Sequence, residues 1–171
     1  MFLLQMAGFP GSGKSTLSRA IANKMDAIVI DRDIIKNAMV ESGVSQEIVA
    51  NASYMVVYDL VKFYLGMKRS VIIDTPCYYH EILNYGIEKA NEFGVDYKYI
   101  ECRVEDYSII EERLKSRESL VTQIKSTSKE NFEYSKDKSK KPQDGNYIVV
   151  DTSLDNDANM ELIIRYLEKK N

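Results

Sequence analysis

The sequence has few cysteines, no tryptophan, one histidine and no strong excess of charge of either sign. The two cysteines, Cys77 and Cys102, are too few for a disulfide framework, so we expect a protein of the reducing cytoplasm. The formal net charge of −3 gives no overall basic field, which argues against binding to duplex DNA. No apolar run approaches the roughly 18 residues of a membrane-spanning helix. The apolar start over residues 2–7 lacks the basic residues of a signal peptide, so we expect no membrane association.

One motif stands out against these absences. Residues 8–16 read GFPGSGKST and match G-x-x-x-x-G-K-[ST], the phosphate-binding P-loop, between an apolar run and an amphipathic helical pattern. The glycines let the backbone turn so that its N–H groups approach phosphate oxygens. Lys14 would reach the β- and γ-phosphates, and the Ser15 hydroxyl would bind Mg²⁺. The predicted nucleotide contacts in this stretch are Gly8, Gly11, Ser12, Gly13, Lys14, Ser15 and Thr16.

Short apolar runs alternate with helical patterns along the rest of the chain. The pattern predicts strands over residues 2–7, 27–31, 70–74, 95–102 and 146–151, and helices over residues 14–25, 33–41, 45–67, 80–93, 105–117 and 155–169. Such alternation is typical of an α/β domain with a parallel sheet and helices on both of its faces. We therefore predict one domain over residues 1–171.

Acidic residues follow three of the predicted strands. Ligands bind beyond the carboxyl ends of parallel strands, so Asp31, Asp33, Asp74 and Asp151 should lie on the same side of the sheet as the P-loop. Asp33 could accept the proton of a substrate hydroxyl, or it could cap the following helix. Lys36 could hold an anionic group of the substrate. Asp74 resembles a Walker B carboxylate, and the sequence leaves open whether it contacts a metal ion or a substrate.

Basic residues near the end of the predicted helix 105–117 complete the candidate site. Arg113 and Arg117 are four residues apart and so share one helix face, from which they could neutralise a transferring phosphoryl group. Pairing with neighbouring glutamates is the alternative. Arg117 also opens a basic segment, residues 115–141, with eight basic and four acidic side chains. This segment is predicted either as a lid that closes over phosphates or as a solvated surface loop.

These motifs, in this order, resemble those of small P-loop kinases. The nearest group is that of the polynucleotide-kinase-like, zeta-toxin-like and chloramphenicol-phosphotransferase-like enzymes. The resemblance implies a three-layer P-loop NTPase fold, with a five-stranded parallel sheet of order 2-3-1-4-5 and a lid after the fourth strand. It also implies ATP and Mg²⁺ as cofactors, Asp33 as general base and Arg117 as the lid arginine, with Arg113 beside it.

The same resemblance indicates where the nucleotide and the acceptor would bind. It places the adenine pocket between a lid-helix residue and the loop after the last strand, where Thr152 lies. Polynucleotide kinases grip a substrate phosphate with an arginine three residues after the base. Lys36 occupies that position here, and lysine lacks the bidentate fork of arginine. Recognition of nucleic-acid ends is therefore less expected than in those enzymes.

The sequence thus predicts an ATP-dependent phosphotransferase acting on a hydroxyl of a small molecule or of a nucleic-acid end. The alternative is a P-loop ATPase or a nucleotide-gated regulatory module without a small acceptor. No glutamine suited to orienting a water is evident, and no N-K-x-D guanine motif is present, which disfavours a GTPase. The acceptor and the oligomeric state stay open.

Overall fold

The computed structural model describes residues 1–118, 120–154 and 156–169. Five strands form one parallel sheet of order β2-β3-β1-β4-β5, as the resemblance implied. The strands are β1 (Phe2–Ala7), β2 (Ile28–Asp31), β3 (Val71–Asp74), β4 (Asp96–Arg103) and β5 (Ile148–Asp151). The helices are α1 (Lys14–Met25), α2 (Arg32–Glu41), α3 (Gln46–Gly66), α4 (His80–Phe93), α5 (Tyr107–Ser116), α6 (Lys129–Ser135) and α7 (Asn156–Glu168).

Helices cover both faces of the sheet, so the domain has three layers. On one face, α1 and α7 bury Leu17, Ile21 and Ile163 against β1 and β4. On the other face, α3 packs Val57 and Val61 against β2, β3 and β1, alongside α4. The central strand β1 is buried along its whole length. The P-loop therefore starts directly after a fully buried strand.

The long helix α3 differs in two ways from its prediction. The sequence has apolar side chains at helical spacing along this helix at Ile48, Val49, Ala52, Met55, Val56 and Leu60. Val49 is buried as this spacing predicts, but Ile48 and Met55 are exposed, and the rest of the buried apolar face comes from Val57, Val61 and Leu65. By length and composition alone, α3 also passes the test for a helix able to cross a membrane, contrary to the expectation that no segment would. Its buried face is part of the core beneath the sheet.

Most other predicted elements are confirmed to within one or two residues. β1, α1 and α4 have the predicted bounds. Helix α4 ends at Gly94, whose φ of 64° is the left-handed conformation that glycine adopts most readily. Asp106 caps α5 by accepting a hydrogen bond from the Ser108 amide, so this helix starts two residues later than predicted. Asp155, the predicted start of the last helix, lies outside the described residues.

The basic segment, residues 115–141, is not one uniform loop in the part that the structure describes. Its second half contains α6, which was not predicted, and Phe132 of α6 is buried edge-on against Phe9 of the P-loop with ring centroids 5.3 Å apart. The Lys140 amide donates to the carbonyl of Cys77, and the ammonium of Lys141 pairs with the buried Glu101 at 2.8 Å. This half belongs to the body of the domain.

Candidate active site

The P-loop follows β1 and turns directly over β4. Gly8 has a φ of 129°, and a Cβ there would lie 2.2 Å from the carbonyl oxygen of Cys102, so no other residue fits. Gly13 is the residue that starts α1, with a φ of 83°. The amides of the loop and the first turn of α1 thus form a concave surface with the positive end of a helix dipole, which suits phosphate.

Lys14 is buried at the centre of this loop. Its Nζ donates to the carbonyl oxygens of Gly8 (3.0 Å) and Phe9 (3.1 Å). Burial lowers the pKa of Lys14, and the nearby Asp74 carboxylate opposes that shift. These two hydrogen bonds hold the Lys14 side chain inside the loop.

The candidate metal ligands lie where β3 and β2 end beside α1. Asp74 is buried at the end of β3, and its Oδ2 accepts a hydrogen bond from the Ser18 hydroxyl at 3.1 Å. Ser15 and Asp74 both line the same cavity. Asp31 is the register partner of Asp74 on β2. Burial, followed by repulsion from Asp74, raises the pKa of Asp31.

These donors fit Mg²⁺, a hard cation that takes a hydroxyl and one or two carboxylates in addition to phosphate oxygens and water. Within the described residues no three acidic, histidine or cysteine side chains form a metal-binding group. A magnesium ion here would therefore need phosphate oxygens to complete its coordination.

The start of α2 distinguishes two roles that the sequence left open for Asp33. Asp31, not Asp33, caps the helix, because the Asp31 Oδ1 accepts from the amide of Asp33 at 2.9 Å. The carboxylate of Asp33 is therefore not used for capping, and it lines the cavity. Its Oδ2 accepts a hydrogen bond from the side-chain amide of Gln123 at 3.0 Å.

The two arginines lie on the cavity wall but have different partners. Arg113 donates from Nη2 to the carbonyl of Thr152 at 2.7 Å and approaches the carbonyl of Gly11, so it ties α5 to the P-loop. Arg117 donates from Nη2 to the carbonyl of Ile124 at 2.7 Å. Burial lowers the pKa of Arg117, and the negative charge of Asp33 counteracts this. Arg117 thus lies within electrostatic reach of Asp33.

Thr152 connects the loop after β5 to the P-loop. Its hydroxyl donates to the carbonyl of Ser12 at 2.6 Å, and its Cβ lies 3.5 Å from where a side chain on Gly13 would start. The predicted nucleotide contact at this position is therefore adjacent to the phosphate loop.

A group of side chains beyond Asp33 forms the second half of the cavity and was not singled out from the sequence as a site. The guanidinium of Arg32 stacks on the ring of Tyr54 at 3.6 Å from its centroid. Arg32 also donates from Nε to the Ser53 hydroxyl and from Nη2 to the carbonyl of Ala50. Tyr78 lines the same cavity, and burial raises its pKa to about 12.

The P-loop and this second half share one cavity of about 1240 Å³. That volume exceeds the upper end of common small-molecule pockets, about 1,000 Å³, so two ligands could lie side by side. Lys36 lines the cavity and, within the part of the chain that the structure describes, has no hydrogen-bond or ion-pair partner. All predicted site residues except Gly8 and Ser12 line this cavity. Gly8 and Ser12 are buried beneath the loop surface that faces the cavity.

Together, the sheet order and the phosphate loop define the fold of the P-loop NTPases. A family model with the description AAA domain, AAA_33, matches residues 3–142, so the chain belongs to that family. No curated protein matches the chain.

Solved structures share the fold at low sequence identity. One is a candidate kinase from Chloroflexus aurantiacus j-10-fl, with 20% identity and a TM-score of 0.76, covering 97% of this chain and 98% of that one. Another is a sugar kinase from Janibacter sp. HTCC2649, with 15% identity and a TM-score of 0.66, covering 98% and 94%. A third is the APS kinase of Mycobacterium tuberculosis in complex with AMPPNP and APS, with 13% identity and a TM-score of 0.58, covering 98% and 97%.

Proposed function

We propose that the protein is an ATP-dependent kinase that transfers the γ-phosphoryl group of ATP to a hydroxyl group. The observation that carries the proposal is that one cavity is lined by both the phosphate loop and the carboxylate of Asp33. A hydrolase needs space only for a nucleotide and a water. The wall around Arg32, Tyr54 and Tyr78 adds room and polar contacts for a second molecule.

In this mechanism the P-loop amides and Lys14 hold the β- and γ-phosphates of ATP. Mg²⁺, held by Ser15 and near Asp74, would neutralise phosphate charge. The acceptor oxygen bonds to the γ-phosphorus, the bond from that phosphorus to the β–γ bridging oxygen breaks, and ADP leaves. Asp33 takes the proton of the acceptor hydroxyl. Arg117, and with it Arg113, supplies positive charge to the phosphoryl oxygens in transit.

The acceptor half of the cavity has a lining that suits a small polar molecule. Lys36 has a side-chain ammonium with no partner among the described residues, which suits an anionic or hydroxyl-rich acceptor. Residues 120–124 pack across α2 and narrow the cavity on that side through contacts to Asp33 and Asn37. The sugar kinase and the APS kinase that share the fold carry names of small acceptors, which agrees with this size.

An acceptor panel tests the proposal. The protein would be incubated with γ-phosphate-labelled ATP, Mg²⁺ and, in separate reactions, nucleosides, sugars, sugar acids, aminoglycosides and 5′-hydroxyl oligonucleotides. We expect ADP release that depends strongly on one class. Release that no acceptor accelerates would contradict the kinase proposal and favour the ATPase alternative.

The Asp33→Asn variant tests the base within the same panel. It should bind ATP normally yet transfer at least about 100-fold more slowly, because general-base catalysis contributes about 10²–10⁴-fold. Asp59→Asn is the matched control, since Asp59 is an exposed carboxylate on α3 that pairs with Lys62 and does not line the cavity. A variant at Asp33 that keeps full transfer would show that the base assignment is wrong.

A further inference from the structure

A turn that lines the cavity makes a direct contact with the proposed base. In residues 120–123, the Gln123 amide N–H donates to the carbonyl of Leu120 at 3.0 Å, which closes the turn. The side chain of Gln123 also lines the cavity, and its Nε2 donates to the Oδ2 of Asp33 at 3.0 Å. These two residues are 90 positions apart in sequence. The turn comes from the first half of the basic segment, after Arg117.

A second hydrogen bond fixes where this turn lies. The amide of Val121 donates to the Oδ1 of Asn37 at 3.0 Å, and the Nδ2 of Asn37 donates to Glu41 at 2.8 Å. Asp33 and Asn37 are four residues apart on α2 and therefore share one face of the helix. The turn thus rests on the acceptor helix through two side chains, one of which is the proposed base.

The orientation of the Gln123 amide follows from its neighbours. Its Oε1 accepts from the backbone amide of Leu120 at 3.3 Å, so its NH₂ group is the end that meets Asp33. Within the described residues, the hydrogen bond from Gln123 goes to Oδ2, and the other carboxylate oxygen of Asp33, Oδ1, accepts none. One oxygen of the carboxylate is held by the turn, and the second is left for an acceptor hydroxyl.

We propose that Gln123 is a positioning residue that orients the carboxylate of Asp33 when residues 120–124 lie on α2. The inference rests on the proposed function, because it gives Asp33 the role of base. Holding Oδ2 fixes the rotation of the carboxylate and directs Oδ1 toward the acceptor. Phosphoryl transfer then depends on this turn. The base is aligned only when residues 120–124 cover the acceptor side of the cavity.

Two substitutions separate positioning from simple closure of the turn. Gln123→Glu keeps an oxygen that can accept from Leu120, but it replaces the NH₂ donor with a carboxylate oxygen that repels Asp33. Gln123→Leu removes both contacts. If Gln123 serves only to close the turn, Q123E should transfer the phosphoryl group at nearly the wild-type rate. If Gln123 positions Asp33, both variants should transfer it slowly. Gln143→Leu, at an exposed glutamine outside the cavity, is the control.

The experiment measures single-turnover transfer from γ-phosphate-labelled ATP, with water as acceptor in one arm and the best acceptor of the panel in the other. We expect both Gln123 variants to lower the transfer rate about 10- to 100-fold, with ATP affinity changed less than about twofold. In the Asp33→Asn background, removing Gln123 should cost no more than about a further twofold, since the two residues act as one unit. Circular dichroism and ATP affinity check that each variant is folded.

The outcomes separate the inference from the proposed function. Slow Gln123 variants whose effect disappears in the Asp33→Asn background support it. A normal rate for Q123E, or an equal loss with and without Asp33, overturns the positioning role and leaves the base assignment intact. An unaffected Asp33→Asn variant overturns the base assignment and the positioning role together.

Discussion

Replacing Phe132 with alanine tests whether α6 belongs to the body of the domain. Phe132 is 1% exposed. Its ring packs edge-on against Phe9 of the P-loop, with centroids 5.3 Å apart, and at a tilt against Tyr107, with centroids 6.0 Å apart. Truncation of a buried phenylalanine to alanine costs about 3–5 kcal/mol. The edge-on pair accounts for roughly 0.5–1.5 kcal/mol of that cost.

We therefore expect Phe132→Ala to lower the free energy of unfolding by about 3–5 kcal/mol, measured by urea denaturation followed by circular dichroism. Tyr134→Ala is the matched control, because Tyr134 is 71% exposed on the same helix and its ring makes a cation–π contact with Lys138. Its cost should stay below about 1 kcal/mol. ATP affinity should fall in the first variant, since Phe9 is in the P-loop. A loss below about 1 kcal/mol for Phe132→Ala would refute the packing of α6.

Three further predictions concern the site itself. Lys14→Met should abolish ATP turnover and weaken ATP binding, measured by calorimetry, because it removes the loop's only ammonium; near-normal turnover would contradict its phosphate role. Asp31→Asn should keep the helix cap and become more stable relative to the wild type as pH rises from about 4 to 7, because the raised pKa of Asp31 means that its ionisation disfavours the folded state. Urea denaturation at both pH values measures the difference in unfolding free energy between the two proteins. A stability advantage of the variant that shrinks as pH rises would contradict this prediction. Asn37→Ala should speed hydrogen exchange at the Val121 amide while leaving the protection of the core strands unchanged; unchanged exchange would show that the turn does not depend on this contact.

Local patterns were sufficient to predict the donor half of the site. The P-loop depends on a contiguous motif, and β1, the loop and α1 follow one another along the chain, so their bounds and their contacts could be derived directly. Of the acidic residues predicted on the P-loop side of the sheet, Asp31, Asp33 and Asp74 line the cavity, because parallel strands end at one edge of the sheet. Asp151 was predicted with them, but it is exposed and does not line the cavity.

Errors arose where tertiary packing overrides local pattern. Helix α6 is seven residues long with one buried side chain, Phe132, so it lacks a hydrophobic period that could reveal it. Ser128, which caps it, was the available signal. Helix α3 is apolar around most of its circumference, which hides the side that faces the sheet. Its buried face depends on packing against strands far away in sequence.

The acceptor half depends on contacts between distant residues. Arg32 meets Tyr54 across α2 and α3, and Gln123 meets Asp33 across 90 positions. No pattern in a single sequence specifies such pairs. Gln123 was not among the predicted site residues, whereas the structure brings it to the candidate base.

The most direct test of the central claim is the comparison of ATP consumption with and without acceptor in the wild type and in Asp33→Asn. We predict consumption that rises strongly with one acceptor class in the wild type, and a loss of that rise of at least about 100-fold in the variant, with ATP affinity retained. Acceptor-independent consumption that is equal in both proteins would contradict the account.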